Sequence, residues 1–211
     1  MKTEKLIEEL VLASKPVKRL DSPVSRFSRW LLFSISCVTA ATLLCGLRSD
    51  LSLAIGRAGF SLQAVSALGL AVLSALSAFI LSVPDRKRLW LWAIPLITLV
   101  LWFGAIGREF LVAENVQGGI GFSCARDIVL FALLPGMLLF WMLRRAAALE
   151  PGRVGVLAAL AVAALGAAGI QFICMNDDPL HALLWHWLPV ALVGGAGFAI
   201  GRVMLGKTTS S

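Results

Sequence analysis

Six runs of apolar residues, each roughly 18 residues long or longer, recur along this chain. An α-helix needs about that length to cross about 30 Å of hydrocarbon at about 1.5 Å per residue. Lipid offers the backbone no hydrogen-bond partner, so each run must be helical unless the strands close into a barrel, and barrel strands would alternate apolar and polar residues. The sequence therefore predicts an all-α, polytopic membrane protein. Its six predicted transmembrane helices are residues 30–47, 61–83, 89–106, 126–143, 154–173 and 183–201.

Composition limits what else the chain can hold. Of its 211 residues, 59% are hydrophobic and 15% are charged, which leaves too few polar residues to cover a soluble domain of this size. We therefore predict three parts. They are a cytoplasmic N-terminal segment at residues 1–28, a transmembrane domain at residues 29–203 and a cytoplasmic tail at residues 204–211.

Basic residues are divided unequally between the two sides of the membrane. With six crossings, the N-terminus, the second and fourth loops and the C-terminus share one side. Of the 19 basic residues, the opposite side carries only Arg48, Arg57, Arg108 and Arg126. Because loops rich in Lys and Arg stay in the cytoplasm, the pattern predicts that both chain ends are cytoplasmic. The net charge of +7 follows mostly from this bias and is no indication of nucleic-acid binding.

The N-terminal segment is predicted to form a short amphipathic helix followed by an extended arm. The apolar stripe of this helix consists of Leu6, Ile7, Leu10 and Val11, and the basic pair of the arm is Lys18 and Arg19. Such a stripe needs a partner, which can be another protein, the membrane surface or the cytoplasmic ends of the bundle. Three glutamates on the polar face make anionic lipid a poor target and favour a groove in a protein. The competing interpretation is a frayed tail that positions the first transmembrane helix.

Two of the four cysteines are predicted to lie together at the outer surface. Cys37 and Cys45 fall within the first transmembrane helix, where we expect a structural role. Cys124 and Cys174 fall at the outer ends of the fourth and fifth helices, on the oxidising side in a bacterium. Three interpretations compete for this pair: a structural disulfide, a disulfide that breaks and reforms as a signal, and two thiolates that capture a soft metal ion.

Further metal-ligand residue types follow Cys174 closely. They are Asp177, Asp178, His181 and His186, which could add ligands to an ion held by the cysteines. The spacing is not that of a standard zinc motif, since no two cysteines share one short segment. The two histidines are five residues apart, a spacing that does not align them on one face of an α-helix.

Other function classes have weaker support. No charged residue falls at the centre of a predicted helix, which argues against an ion pump or a small-solute transporter. The sequence has no Ser-His-Asp arrangement, phosphate-cradling loop or helix-borne metalloprotease motif, so we predict no enzyme. A membrane thiol oxidoreductase is the other alternative. Such enzymes typically use a close Cys-x-x-Cys or two outward cysteine pairs, whereas this chain has two isolated outer cysteines.

An ordered set of segments along nearly the whole chain resembles one protein family. The segments are residues 1–7, 15–20, 47–51, 83–84, Cys124, 174–179 and 184–190. The family is NrsF, whose members are six-helix inner-membrane proteins and negative regulators of an extracytoplasmic-function sigma factor. The order of the segments carries the resemblance, because no single segment is specific.

The resemblance implies an anti-sigma factor in the bacterial inner membrane, which releases its sigma factor under heavy-metal or oxidative stress. The family's outer cysteine pair matches Cys124 and Cys174, and its cytoplasmic segment matches residues 1–20. On this basis the apolar stripe would dock on the sigma factor, and Lys18 and Arg19 would meet its acidic surface. We expect membrane lipid as the other partner, no direct contact with nucleic acid, and no cofactor apart from a transient heavy-metal ion at the cysteine pair.

Overall fold

The computed structural model describes residues 3–13, 20–83, 90–146 and 148–206. Within these ranges the chain is helical and has no strand. The short helices near the N-terminus are α1 (Thr3–Ala13) and α3 (Leu51–Gly56). Six segments are long and apolar enough to cross a membrane by length and composition, which agrees with the six predicted spans. They are α2 (Pro23–Cys45), α4 (Ala58–Leu81), α5 (Trp90–Val112), α6 (Phe122–Arg144), α7 (Pro151–Gln171) and a last span, Pro179–Leu205. The last span joins α8 (Pro179–His181), a π-helical turn (Ala182–Trp187) and α9 (Leu188–Leu205).

The first long helix begins well before the apolar run that predicts it. α2 starts at Pro23 rather than at residue 30. The Ser22 hydroxyl accepts a hydrogen bond from the Ser25 N–H at 3.2 Å, and proline suits the first helical position because that N–H has no intrahelical partner. These first turns are polar, so hydropathy does not detect them. The predicted boundary between residues 28 and 29 therefore falls inside α2.

Two other helices also extend beyond their apolar runs. α5 continues to Val112 rather than residue 106 and includes Arg108 and Glu109, which form an ion pair at 2.9 Å. α6 begins at Phe122 rather than residue 126, so Cys124 lies in its first turn. The charges and polar groups in these extensions lower the local hydropathy without preventing helix formation.

α7 is the central helix of the bundle. It packs against α2, α4, α6 and α9, and its apolar residues are almost entirely buried. Glycines allow the closest approach, since a Cβ on Gly155 would lie 2.2 Å from the backbone oxygen of Gly197 in α9. Small residues at such crossings permit the tight packing that drives helix association in lipid. α7 thus holds the surrounding helices in fixed positions, and with them both ends of the bundle.

Neighbouring spans run antiparallel, which gives the bundle two distinct ends. We call the end where α2 and α7 finish and α6 begins the cysteine end, because Cys124 and Cys174 lie there. We call the opposite end, where α2 begins and α4 and α6 finish, the arm end.

A buried arginine ties three helices together at the arm end. Arg26, in the second turn of α2, is 3% exposed. Its guanidinium donates to the hydroxyl of Ser82 just after α4, at 3.4 Å, and to the backbone carbonyl of Met142 in α6. The Met142 carbonyl is among the last of its helix, which have no partner within the helix. Trp30 adds a further link, since its indole N–H donates to the Pro135 carbonyl at 3.0 Å.

Candidate functional site

Four side chains with metal-ligand atoms meet at the cysteine end. Cys124 lies in the first turn of α6, Cys174 follows the end of α7, His181 ends α8 and His186 lies in the π-helical turn. One sulfur or ring nitrogen from each side chain lies within 4.8 Å of those of the other three. Within the described ranges this is the group of histidine and cysteine side chains close enough to share one ion. Residues from three chain segments therefore converge on one point.

The two cysteines are free thiols in contact with each other. Their Sγ atoms are 3.6 Å apart, well beyond the ~2.05 Å of a disulfide bond. The Nε2 atom of His181 lies 3.7 Å from the Cys124 sulfur and 3.5 Å from the Cys174 sulfur. The sequence predicted that the two cysteines share one surface, and the structure places them in direct contact.

Both histidines are buried, at 2% exposure for His181 and 4% for His186. The Nδ1 atom of His181 lies 3.2 Å from the Gly118 carbonyl, which can only accept a hydrogen bond. Nδ1 is therefore the donor of this hydrogen bond, and Nε2 is the nitrogen that faces the sulfurs. The His186 ring lies 5.4 Å from the His181 ring in an edge-on arrangement. Among the described residues, the Nε2 atom of His186 has no hydrogen-bond partner.

The π-helical turn explains how the two histidines meet. In an α-helix, a five-residue spacing places side chains on different faces, and the prediction from the sequence rests on that periodicity. A π-helix bonds i to i+5, so each turn holds more residues and positions five apart lie closer to one face. The turn spans Ala182–Trp187 and follows directly on His181. The inference from α-helical spacing was therefore wrong for this segment.

Asp178 positions the site and lies outside the group of four. Its side chain accepts hydrogen bonds from the backbone N–H groups of Leu180 and His181, at 2.9 and 3.2 Å, and so caps α8. Its second oxygen accepts from the Gln117 N–H at 2.8 Å, which ties down the loop after α5. Burial opposes its ionisation, but the backbone hydrogen bonds from Gln117, His181 and Leu180 together lower the pKa of Asp178.

Asp177 also has other partners. It accepts two hydrogen bonds from Arg48, both at 2.9 Å, and pairs with Arg57 at 2.6 Å. Arg48 also holds Asp50 through two hydrogen bonds of 2.7 and 3.0 Å, and its side chain is only 2% exposed. Its backbone N–H donates to the Phe172 carbonyl at 3.0 Å. Arg48 thus fixes the segment that carries Cys174 against the loop after α2.

The electrostatics of this ion cluster follow from its hydrogen bonds. The bonds to Asp177, and then those to Asp50, raise the pKa of Arg48 above its usual value. In return, Arg48 lowers the pKa of Asp50. In this cluster the two carboxylates lie beside Arg48 and Arg57 and balance their charges.

A glycine-containing loop covers the histidines. Gly118 and Gly119 have φ angles of +74° and +70°, which non-glycine residues rarely adopt. The Gly119 carbonyl accepts a hydrogen bond from the Trp185 indole at 3.0 Å. A Cβ on Gly121 would lie 2.4 Å from Cε1 of His181 and 2.5 Å from the Trp185 ring. Sequence reasoning did not assign these glycines to the site, and their only signal was their clustering in one loop.

A polar cavity of about 90 Å³ reaches the group of four. Its lining includes Cys174 and His186 together with Arg48, Arg57, Glu109 and Asp177. The thiol of Cys124 donates a hydrogen bond to the sulfur of Cys174, which lowers the pKa of Cys174, and burial opposes this effect. His186 lowers the pKa further. The cavity therefore leads to a sulfur whose pKa is lowered, which favours the thiolate, the form that binds metals and attacks electrophiles.

This fold and this site define a class: a helical protein with six segments long and apolar enough to make it a multi-pass membrane protein, and with a cysteine- and histidine-containing site at one end. The chain belongs to the NrsF family, because the family model described as "Negative regulator of sigma F" matches residues 10–206. The predicted resemblance is confirmed, and the chain is a member of a family of negative regulators of a sigma factor. Comparison with curated proteins and with solved structures found no match.

Proposed function

We propose that this protein is a membrane-bound anti-sigma factor. It holds an extracytoplasmic-function sigma factor at the bacterial inner membrane and releases it when heavy-metal or oxidative stress changes the state of Cys124 and Cys174. The observation that carries the proposal is the family match over residues 10–206. A sigma factor held at the membrane cannot reach RNA polymerase, so occupancy alone is sufficient for inhibition.

The sigma-binding surface in this proposal is the N-terminal segment. α1 forms over Thr3–Ala13, and two described members of its apolar stripe, Ile7 and Val11, are 54% and 65% exposed. Such a stripe matches the way an amphipathic helix enters a groove on a protein. Leu6 and Leu10 complete the predicted stripe, but their side chains lie outside the description. Lys18 and Arg19, predicted to meet an acidic surface, lie outside the described residues.

The proposed orientation places the arm end in the cytoplasm and the cysteine end outside. It is supported by the basic residues, of which the cysteine-end loops hold only a few. An outward cysteine end exposes Cys124 and Cys174 to the more oxidising compartment and an inward arm end exposes α1 to the sigma factor. Membrane lipid then surrounds the six spans.

Release requires two states of the protein with different affinities for the sigma factor. Moving a population from 1:99 to 99:1 takes about 5.5 kcal/mol of differential free energy. Joining or separating the sulfurs, or binding an ion between them, acts on α6 and on the segment after α7. A change at these two places alters how the ends of the helices are held.

Co-purification tests the sigma-binding step. The full chain, extracted from membranes in mild detergent, is expected to retain an extracytoplasmic-function sigma factor of the same bacterium. Replacing Ile7 and Val11 by aspartate should weaken retention on the order of 10-fold or more, because two apolar anchors are lost. The control is Leu12→Asp, which places one of these two negative charges outside the stripe, at a side chain that is 80% exposed. Retention unaffected by the double substitution would rule out α1 as the docking surface.

Cysteine substitution tests the sensing step. In cells carrying a sigma-dependent reporter, Cys124→Ser and Cys174→Ser should each abolish induction by stress. The control is Cys45→Ser, an exposed cysteine at the end of α2 that lies outside the group of four. Normal induction in the Cys124 and Cys174 variants would reduce the pair to a structural role.

A further inference from the structure

We propose that Cys124, Cys174, His181 and His186 form a four-coordinate site for one Zn²⁺ ion. The proposal deepens the proposed function, because it names the ligand of the same site and rests on that function for its regulatory consequence. The binding itself is a property of this chain alone. Of the four additional ligands considered from the sequence, the proposed site includes His181 and His186 and excludes Asp177 and Asp178.

The distances match tetrahedral coordination. A tetrahedral ion with Zn–S bonds of ~2.3 Å and Zn–N bonds of ~2.0–2.1 Å places two sulfurs ~3.8 Å apart and a sulfur and a nitrogen ~3.5 Å apart. The Cys124 and Cys174 sulfurs are 3.6 Å apart, and Nε2 of His181 lies 3.7 and 3.5 Å from them. These three edges already form one face of such a tetrahedron. The fourth vertex is a ring nitrogen of His186, which lies within 4.8 Å of each of the other three ligand atoms.

The burial of His186 is an independent indication of a ligand. Its ring is 4% exposed, and its Nε2 atom has no hydrogen-bond partner among the described residues. A buried polar atom without a partner is costly, and in native proteins such an atom usually marks a ligand, a water or an ion. The ring lies 5.4 Å from the His181 ring and belongs to the group of four, so coordination would give the buried imidazole a partner at this point.

The surroundings of the site hold the ligands in place. The Gly118 carbonyl accepts from Nδ1 of His181, the usual way in which an outer partner orients a metal-binding imidazole. Asp178 fixes the backbone of His181 through the cap of α8. The nearby charges of Arg48 and Arg57 are balanced by Asp50 and Asp177, so they do not repel a cation from the site.

Charge and ligand type favour Zn²⁺ over harder cations. Two thiolates would neutralise the two charges of the ion, which suits a largely buried site. A set of two sulfurs and two imidazoles in tetrahedral geometry is typical of zinc, whereas Mg²⁺ and Ca²⁺ require oxygen ligands in higher number. The polar cavity that reaches Cys174 and His186 gives the ion a path from solvent.

Metal binding would hold three separate parts of the chain at one point. They are the first turn of α6, the segment after α7 and the start of the last span. While the sulfurs coordinate the ion, they are not available to form a disulfide with each other. The metal-bound state is thereby distinct from the oxidised state: the ion would join all three parts, whereas a disulfide would join only the first turn of α6 and the segment after α7.

The first experiment uses the full wild-type chain in detergent micelles, reduced and stripped of metal by a chelator. Titration with Co²⁺ should give one equivalent per chain and the intense visible absorption of tetrahedral cobalt–thiolate, and Zn²⁺ should then displace the cobalt. X-ray absorption of the Zn²⁺ form should show two sulfur and two imidazole ligands. The proposal is overturned by the absence of stoichiometric binding, or by a coordination shell that lacks either sulfur or imidazole.

The second experiment uses ligand variants of the full chain, compared by far-ultraviolet circular dichroism to verify helix content. Removing one ligand with His181→Gln or His186→Gln should weaken Co²⁺ binding at least as much as the ~10–100-fold loss that follows removal of an outer partner. Cys45→Ser should bind as the wild type does. Unchanged affinity and spectrum in either histidine variant would contradict the proposal. A variant that does not fold leaves the wild-type X-ray result as the deciding measurement.

These measurements separate the two proposals. The metal titration contains no sigma factor, so its outcome does not change if the protein fails to retain one. Co-purification of the sigma factor with the metal-free chain likewise does not depend on whether the site binds Zn²⁺. Each proposal can therefore fail alone.

Discussion

The cysteine end of the bundle and helix α1 differ in where their side chains find partners. At the cysteine end, polar groups from distant parts of the chain meet, as in the pairing of Arg48 with Asp177 and of Asp178 with Gln117. In α1, the apolar side chain of Ile7, a member of the stripe, is 54% exposed. The polar side chains of the cysteine end find their partners within the same chain, whereas α1 presents an apolar surface suited to another molecule.

This difference predicts a graded response to substitution. Changes at the cysteine end should lower the free energy of unfolding of the bundle, because each removes contacts within the chain. Changes in α1 should alter binding and leave that free energy nearly constant. The free energy of unfolding of each variant can be measured in mixed detergent micelles, with circular dichroism as the signal.

The largest loss of stability is expected from Arg48→Leu. It removes the four side-chain hydrogen bonds that Arg48 donates to Asp50 and Asp177 and leaves the more exposed Arg57 as the cation that pairs with both carboxylates. Breaking a fully buried ion pair costs about 3–5 kcal/mol, and we expect about 2 kcal/mol here because the carboxylates are partly exposed. The control is Arg57→Leu, whose side chain is 48% exposed and should contribute less than about 1 kcal/mol. Equal losses in both variants would contradict the special role of Arg48.

Arg48 also shows how far sequence reasoning reaches. Hydropathy is a local property, so the six long apolar helices could be predicted from it and are confirmed. Counting charges identifies Arg48 only as one basic residue on the outer side. It does not identify the partner of Arg48, because Asp177 is 129 positions away in the chain. A pairing over that distance depends on how the helices pack, which a single sequence does not reveal.

The candidate site was predictable in the same partial way. Cys124 and Cys174 could be assigned to one surface because both lie at the outer ends of predicted helices. The meeting of His181 with His186 could not, since it depends on a π-helical turn that α-helical periodicity does not anticipate. Asp177 was a candidate ligand by residue type alone, and its pairing with Arg48 becomes visible only once the chain is folded.

A second, smaller loss is expected from Gly121→Ala. The added Cβ would lie 2.4 Å from His181 and 2.5 Å from Trp185, so the loop or the rings must shift. Overpacking of this kind costs about 1–3 kcal/mol, and it should also weaken Co²⁺ binding without removing a ligand. Gly107→Ala is the control, because a Cβ there meets nothing within 4 Å. If Gly121→Ala matched the control in stability and metal binding, the loop would not constrain the histidines.

Acid should act on the cysteine end through Asp50 and Asp178. The pKa of each is lowered in the folded protein, so each contributes stability above its unfolded pKa, near about 4, and loses it as pH falls through the lower folded value. Hydrogen exchange should therefore show the loops of the cysteine end opening first below about pH 4. Asp178→Ala, which removes the cap of α8 at a cost of about 1 kcal/mol, should produce part of this opening at neutral pH. Protection that does not change with pH would count against this mechanism.

The smallest change in stability is expected from the double substitution of Ile7 and Val11 by aspartate. Both side chains are more than half exposed, and substitutions at such positions usually change the free energy of unfolding by less than about 0.5 kcal/mol. The same variant should lose retention of the sigma factor. Substitution in α1 would therefore change binding and leave stability nearly constant, whereas substitution at the cysteine end would lower stability. A loss above about 1 kcal/mol would mean that the stripe packs on the bundle in the free protein. In that case release of the sigma factor would be coupled to the return of α1 to its own bundle.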